Sequence, residues 1–111
     1  MAVYVDFDEG VKRVMNNAKF YVKMLGKFLA DTSINDLEAA LAENNLDAAY
    51  STVHTLKGLA GNLSLTELLN QCVELESQIK SKSVDPSKFD IVKNAYSETI
   101  LEVEKVIAQN G

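Results

Sequence analysis

The chain's one histidine, His54, stands in the stretch HTLKGLAGN (residues 54–62) beside Lys57 and two of the five glycines, Gly58 and Gly61. An exposed imidazole, with an ordinary pKa of ~6.5, is mostly neutral at neutral pH and offers one ring nitrogen as a nucleophile. Such a nitrogen can take a phosphoryl group. Lys57 follows one helical turn later, where an ammonium would stabilise the added negative charge by charge-assisted hydrogen bonding.

The element that must carry these residues is a helix, because Thr55, Leu56, Lys57, Leu59 and Ala60 continue a helical pattern begun near Leu46, with no turn signal before Asn62. Glycine in a helix interior costs about 1 kcal/mol relative to alanine, so two of them beside the histidine call for a reason. At ~100° per residue, Leu46, Ala49, Val53, Leu56, Ala60 and Leu63 fill one side, and His54 falls roughly opposite with Asp47, Tyr50, Lys57, Gly58 and Gly61. The glycines therefore point away from the expected core, and packing does not account for them. Close approach by another macromolecule does, since bare backbone beside a protruding imidazole lets a partner's site reach the ring. Most of the aromatic residues fall on core stripes; Tyr50 is the exception, on the expected docking face.

The rest of the chain reads as helices that support this one. A short first helix is expected over Asp8–Met15, ended by Asn16 and Asn17. AKFYVKMLGKFLA then sets Phe20, Tyr21, Met24, Leu25 and Phe28 on one side. From Thr32 the apolar phase shifts to Ile34, Leu37 and Leu41, either in a new helix or in a kinked continuation, with Ser33 and Asp36 as a capping pair. Asn44 and Asn45 punctuate before the histidine helix. After it, SLTE has the capping-box spacing of Ser64 and Glu67, followed by the stripe Leu65, Leu68, Cys72, Leu75 and Ile79. The last helix is expected to take Asp85 as N-cap and Pro86 at its first position, and to bury Phe89, Val92, Tyr96, Val103 and Val106. One proline and few alternating β-branched runs give strands almost no support. The expected class is all-α: an antiparallel four-helix bundle with an additional short N-terminal helix.

Composition narrows the partners. At 111 residues the chain is long enough for one domain with a real core and too short for two, and 47% hydrophobic residues are ordinary for a soluble protein. A formal net charge of −5 disfavours nucleic acid, which needs a basic face. No apolar stretch approaches the ~18 residues of a membrane span, and MAVYVDFDEG has acids where a signal peptide needs basic and then apolar residues. A cytoplasmic protein is expected, and a monomer, since no second apolar face is visible. Cys72 sits on a core stripe with no second cysteine to pair with, and with one histidine and one cysteine an intrachain zinc site is excluded. Asp6, Asp8, Glu9 and Gly10 lack the ligand register of a calcium loop. No nucleotide-binding loop or kinase signature is present, which argues against an autonomous enzyme.

VHTLKGLAGNLSLTELLNQCVELE closely resembles the histidine phosphotransfer (HPt) domain family, whose motif runs His-x-Leu-Lys-Gly, several small residues, Asn-Leu-Gly, then Leu-x-x-Leu-Cys-x-x-Leu-Glu. FDEGVKRVMNNAKFYVKMLGKFLA resembles the family's opening helices, so one domain over residues 1–111 is expected. The resemblance sets His54 on the phosphorylated histidine, Lys57 and Gly58 on the family's lysine and glycine, and Leu68, Cys72, Leu75 and Glu76 on the neighbouring helix. It implies that Glu76 helps to orient His54. It departs at Ser64, where glycine is usual, and a capping role is expected for the serine. The implied function is that of a phosphocarrier in a multistep phosphorelay, exchanging a phosphoryl group between His54 and aspartates of response-regulator receiver domains, with a hybrid sensor histidine kinase upstream. No cofactor is implied on the carrier, because the receiver's acidic pocket and its Mg²⁺ stabilise the transferring group. Two other readings remain: an HPt-like interaction module that carries no phosphate, which the presence of both His54 and Lys57 opposes, and the phosphoacceptor domain of a chemotaxis-type histidine kinase.

Overall fold

In the computed structural model, which describes residues 2–110, the apolar stripes fold as six helices: α1 (Phe7–Arg13), α2 (Ala18–Phe28), α3 (Ser33–Ala42), α4 (Leu46–Asn62), α5 (Thr66–Lys80) and α6 (Lys88–Asn110). The chain stops its helices with residues in the left-handed region: Met15 and Asn16 after α1, Asn44 after α3, Ser64 after α4 and Lys82 after α5. Behind the last three, the amides of Asn45, Leu65 and Ser83 donate to the carbonyls of Ala40, Ala60 and Gln78, the long closing bond of a Schellman turn. Glycine is the usual residue at such a position. Here no described glycine has a positive φ, so the glycines of α4 are not used to end a helix.

Helix starts differ in detail from the pattern reading. Asp6, Asn17 and Asn45 cap α1, α2 and α4 by accepting from the amides of Glu9, Phe20 and Ala48, and α1 is shorter than Asp8–Met15 would allow at its C-terminal end. Ser33 and Asp36 do not form a capping pair. Asp31, just ahead of α3, accepts from both the Ser33 amide and its hydroxyl. Ser64 does not cap α5 either, because its φ of 57° makes it the turn residue after α4, and its hydroxyl donates to Glu9 Oε1 at 2.9 Å. The same φ gives a physical reason for the glycine usual in the family at this point. Asp85 accepts from the Ser87 amide and hydroxyl in the turn that leads into α6, and Pro86 lies in that turn rather than at the first helical residue.

The phase shift at Thr32 is a break within one rod. Gly26 lies opposite Ile107, the Tyr96 hydroxyl donates to the Asp31 carbonyl at 3.0 Å, and Lys93 pairs with Glu38. Numbers fall along α6 as they rise through α2 and α3, so the two helices run end to end, antiparallel to α6. The rods are thus α2–α3, α4, α5 and α6, an antiparallel four-helix bundle with α1 as the additional short helix. Its interior is built from Leu25, Leu37, Val53, Leu56, Leu68, Cys72, Leu75, Val92 and Val103, all fully buried, and each leucine so buried contributes about 1.5–3 kcal/mol. Phe20 departs from its expected place and is 48% exposed. Tyr21, Leu25 and Phe28 lie within about 60° of one another around the helix axis and Phe20 roughly 80° beyond them, so the true stripe is narrower than the apolar pattern suggests.

Helix α1 is clasped to the end of α4 by Tyr21. The phenol ring packs against Gly10 and edge-on against Phe7, with centroids 5.6 Å apart, and its hydroxyl donates to the Leu63 carbonyl at 2.6 Å. Burial first, then the nearby Asp6 and Glu9 carboxylates, push the Tyr21 hydroxyl up to about 12, so it remains a donor at neutral pH.

Candidate functional site

Helix α4 presents Ala49, Val53, Leu56 and Ala60 to the core, and its geometry then obliges His54 to face outward. The His54 side chain is 60% exposed. The Schellman turn at Ser64 sends α5 back along α4, which brings Gly61 beside Leu69 and Lys57 beside Glu76. Glu76, which the family resemblance sets near His54, comes from α5 and meets the helix here. Its Oε2 lies 2.7 Å from His54 Nδ1, and its Oε1 accepts from Lys57 Nζ, also at 2.7 Å. One carboxylate therefore bridges the imidazole and the ammonium, and it is the least exposed of the three side chains, at 15%.

The electrostatics follow from that bridge. The Lys57 ammonium, donating directly to it, is the main reason the Glu76 carboxyl sits below its ordinary range; partial burial opposes this, and the His54 hydrogen bond adds to it. Glu76 is thus ionised throughout the neutral range and acts as an acceptor. With a carboxylate at Nδ1, the favoured neutral tautomer is the one whose Nδ1–H donates to Glu76, which leaves the Nε2 lone pair free. The arrangement can present a nucleophilic nitrogen of defined orientation to a reactant arriving from solvent.

Tyr50 lies one turn before His54, stacked on it with centroids 6.0 Å apart and planes 12° from parallel. Gly58 lies one turn after, and a Cβ there would meet nothing within 4 Å. Gly61 is less open than expected: it faces the seam with α5, where a Cβ would lie 3.9 Å from Leu69, an ordinary contact. The bare surface beside the imidazole is therefore chiefly that of Gly58. Beneath the site, burial and then the Glu76 charge push the Cys72 thiol up to about 12, in keeping with a packing role. Among the described residues, no group of three or more His, Cys, Asp or Glu side chains is arranged to hold a metal ion, and no helix is long and apolar enough to cross a membrane.

Sequence reasoning missed a groove between α2 and α4, lined by Phe20, Lys23, Met24, Lys27 and Leu59. The available signal was Phe20, an aromatic at the edge of its stripe, together with Leu59, which lies off the α4 core stripe directly after Gly58.

A family model for the Hpt domain matches residues 23–106, which spans the chain from α2 into α6 and includes Tyr50, His54, Lys57, Gly58, Gly61 and Glu76. No curated protein and no solved structure matches the chain.

Proposed function

The chain belongs to the Hpt domain family, and from that premise we propose that it is a phosphocarrier whose phosphoacceptor is His54 Nε2. The observation that carries the assignment is the Glu76 contact at Nδ1, which leaves the other ring nitrogen as the nucleophile and aims it at solvent. In the transfer, the Nε2 lone pair attacks the phosphorus of an aspartyl phosphate on a receiver domain. An N–P bond forms as the P–O bond to the aspartyl carboxyl breaks, and the aspartate departs as a carboxylate. The ring keeps its Nδ1 proton and becomes a phosphoimidazolium, whose positive charge is offset by the Glu76 carboxylate. Donation to another receiver reverses these steps.

Lys57, held 2.7 Å from Glu76, is within a turn of the nitrogen and supplies an ammonium that can turn to the phosphoryl oxygens once they arrive. The docking surface consists of Tyr50 and Gly58, with Gly61 behind them at the seam with α5, extended by the apolar groove of Phe20, Met24 and Leu59 with Lys23 and Lys27 at its rim. Those two cations suit a partner whose reacting pocket is acidic. The carrier works as a monomer in the cytoplasm without a cofactor of its own, and the Mg²⁺ that assists the reaction belongs to the receiver.

Incubation with a phosphorylated receiver domain is expected to label the chain with an acid-labile, base-stable phosphoryl group, and His54→Gln to abolish that label. Retention of the label in His54→Gln refutes the assignment.

A further inference from the structure

We infer that Tyr50 is a positioning residue for this transfer: its ring lies nearly parallel to the His54 imidazole on the side toward the helix N-terminus, while the side toward Gly58 stays open to a reacting partner. The inference rests on the phosphocarrier reading and adds to it a direction of approach and a residue that sets it.

The asymmetry begins with helix geometry. Side chains in an α-helix lean toward its N-terminus, over the turn that precedes them. His54 therefore comes down on the residue four positions earlier and not on the one four positions later. The earlier residue is Tyr50, and the two rings stack with planes only 12° apart. The later one is Gly58, where no side chain exists and the space is open. The imidazole thus has an offset, nearly parallel phenol ring on its N-terminal side and open space on the other.

The stack also completes a constraint that Glu76 alone leaves unfinished. A hydrogen bond at Nδ1, 2.7 Å long, fixes where one edge of the ring points but lets the ring swing about that contact. A nearly parallel ring beside it, centroids 6.0 Å apart, restricts that swing. The Nε2 lone pair lies in the ring plane, so fixing the plane aims the attacking orbital, and an in-line displacement at phosphorus depends on that alignment. The pairing involves the aromatic ring and not the hydroxyl, so phenylalanine can replace tyrosine here and leucine cannot.

The test uses the whole chain, its Tyr50→Leu and Tyr50→Phe variants, and a receiver domain, loaded from acetyl phosphate, that labels the wild-type chain. Free in solution, the ring-proton resonances of His54 are expected to lose their ring-current shift in Tyr50→Leu and keep it in Tyr50→Phe. In transfer, the rate at saturating receiver is expected to fall about tenfold in Tyr50→Leu, as loss of orientation predicts, over and above any rise in the half-saturating concentration from the lost docking contact, and both are expected to recover in Tyr50→Phe. The inference is overturned if the ring-proton shifts survive in Tyr50→Leu, if the loss appears in the half-saturating concentration alone, or if Tyr50→Phe behaves like Tyr50→Leu. Failure of every receiver to label the wild-type chain would instead strike at the phosphocarrier reading, and the spectroscopic comparison would still decide whether Tyr50 fixes the ring.

Discussion

The clasp of α1 and the face of α4 are built from the same three ingredients, a glycine, an aromatic ring and a glutamate, and they use them in opposite ways. At the clasp, Gly10 is bare because Tyr21 fills the space: a Cβ there would collide with the ring. At the face, Gly58 is bare and nothing fills the space, while the aromatic residue, Tyr50, stacks on the other side of the histidine. Glu9 at the clasp accepts from Ser64 and pairs with Arg13 on its own helix, which holds two segments together. Glu76 at the face joins α4 to α5 and at the same time hydrogen-bonds a ring that is open to solvent. A glycine whose missing side chain is replaced by a neighbour serves the fold. One whose missing side chain is replaced by nothing leaves room for a partner.

Alanine at each of the two glycines separates the two roles. Gly10→Ala must displace a buried, hydrogen-bonded tyrosine or detach α1, and is expected to lower stability by about 1–3 kcal/mol, as overpacking does. Gly58→Ala is expected to raise stability by up to about 1 kcal/mol, since it removes only the helix cost of glycine. Urea titration of both variants measures this, and changes of the same sign would erase the distinction. Enlarging the second site to Gly58→Leu is expected to leave stability at or above wild type while transfer from a phosphorylated receiver falls at least about tenfold, because the open side is then occupied. Transfer at the wild-type rate would show that no partner passes over Gly58.

The smallest expected effect concerns the glutamate. The folded-state pKa of Glu76 lies below its ordinary 4.5, first because of Lys57 and then because of His54. A depressed carboxylate stabilises the fold fully above its unfolded pKa, and this contribution is lost as the pH falls through the lower, folded value. Thermal unfolding of wild type and Glu76→Gln should therefore differ near neutrality by no more than about 1 kcal/mol, as a partly solvated pair allows, and converge below pH 4.5. A difference that grows in acid would contradict the bridge.

Much of the site is legible in the order of residues. His54, Lys57 and Gly58 share an outward face because the α4 stripe of Ala49, Val53, Leu56 and Ala60 is regular and a helix repeats every 3.6 residues. The starts and stops are less legible. Ser64 and Glu67 have capping-box spacing, yet Ser64 ends the preceding helix in a left-handed conformation, and a serine can fill either role. Phe20 reads as a core residue because apolar periodicity marks a stripe without giving its width, and which member at the edge is buried depends on the neighbouring helix.

The order of apolar and polar residues along the chain was enough to determine the all-helical bundle, the outward direction of His54 and the placement of Lys57 one turn away, because all three follow from local periodicity. The family resemblance already sets Glu76 beside His54. Only the tertiary structure decided that the same carboxylate also meets Lys57, that Gly61 turns toward the seam with α5 while Gly58 stays open, and that Phe20 is exposed at a groove. Those outcomes depend on the axial offset and rotation of one helix against another, set by how the whole core packs, and no single helix carries that information.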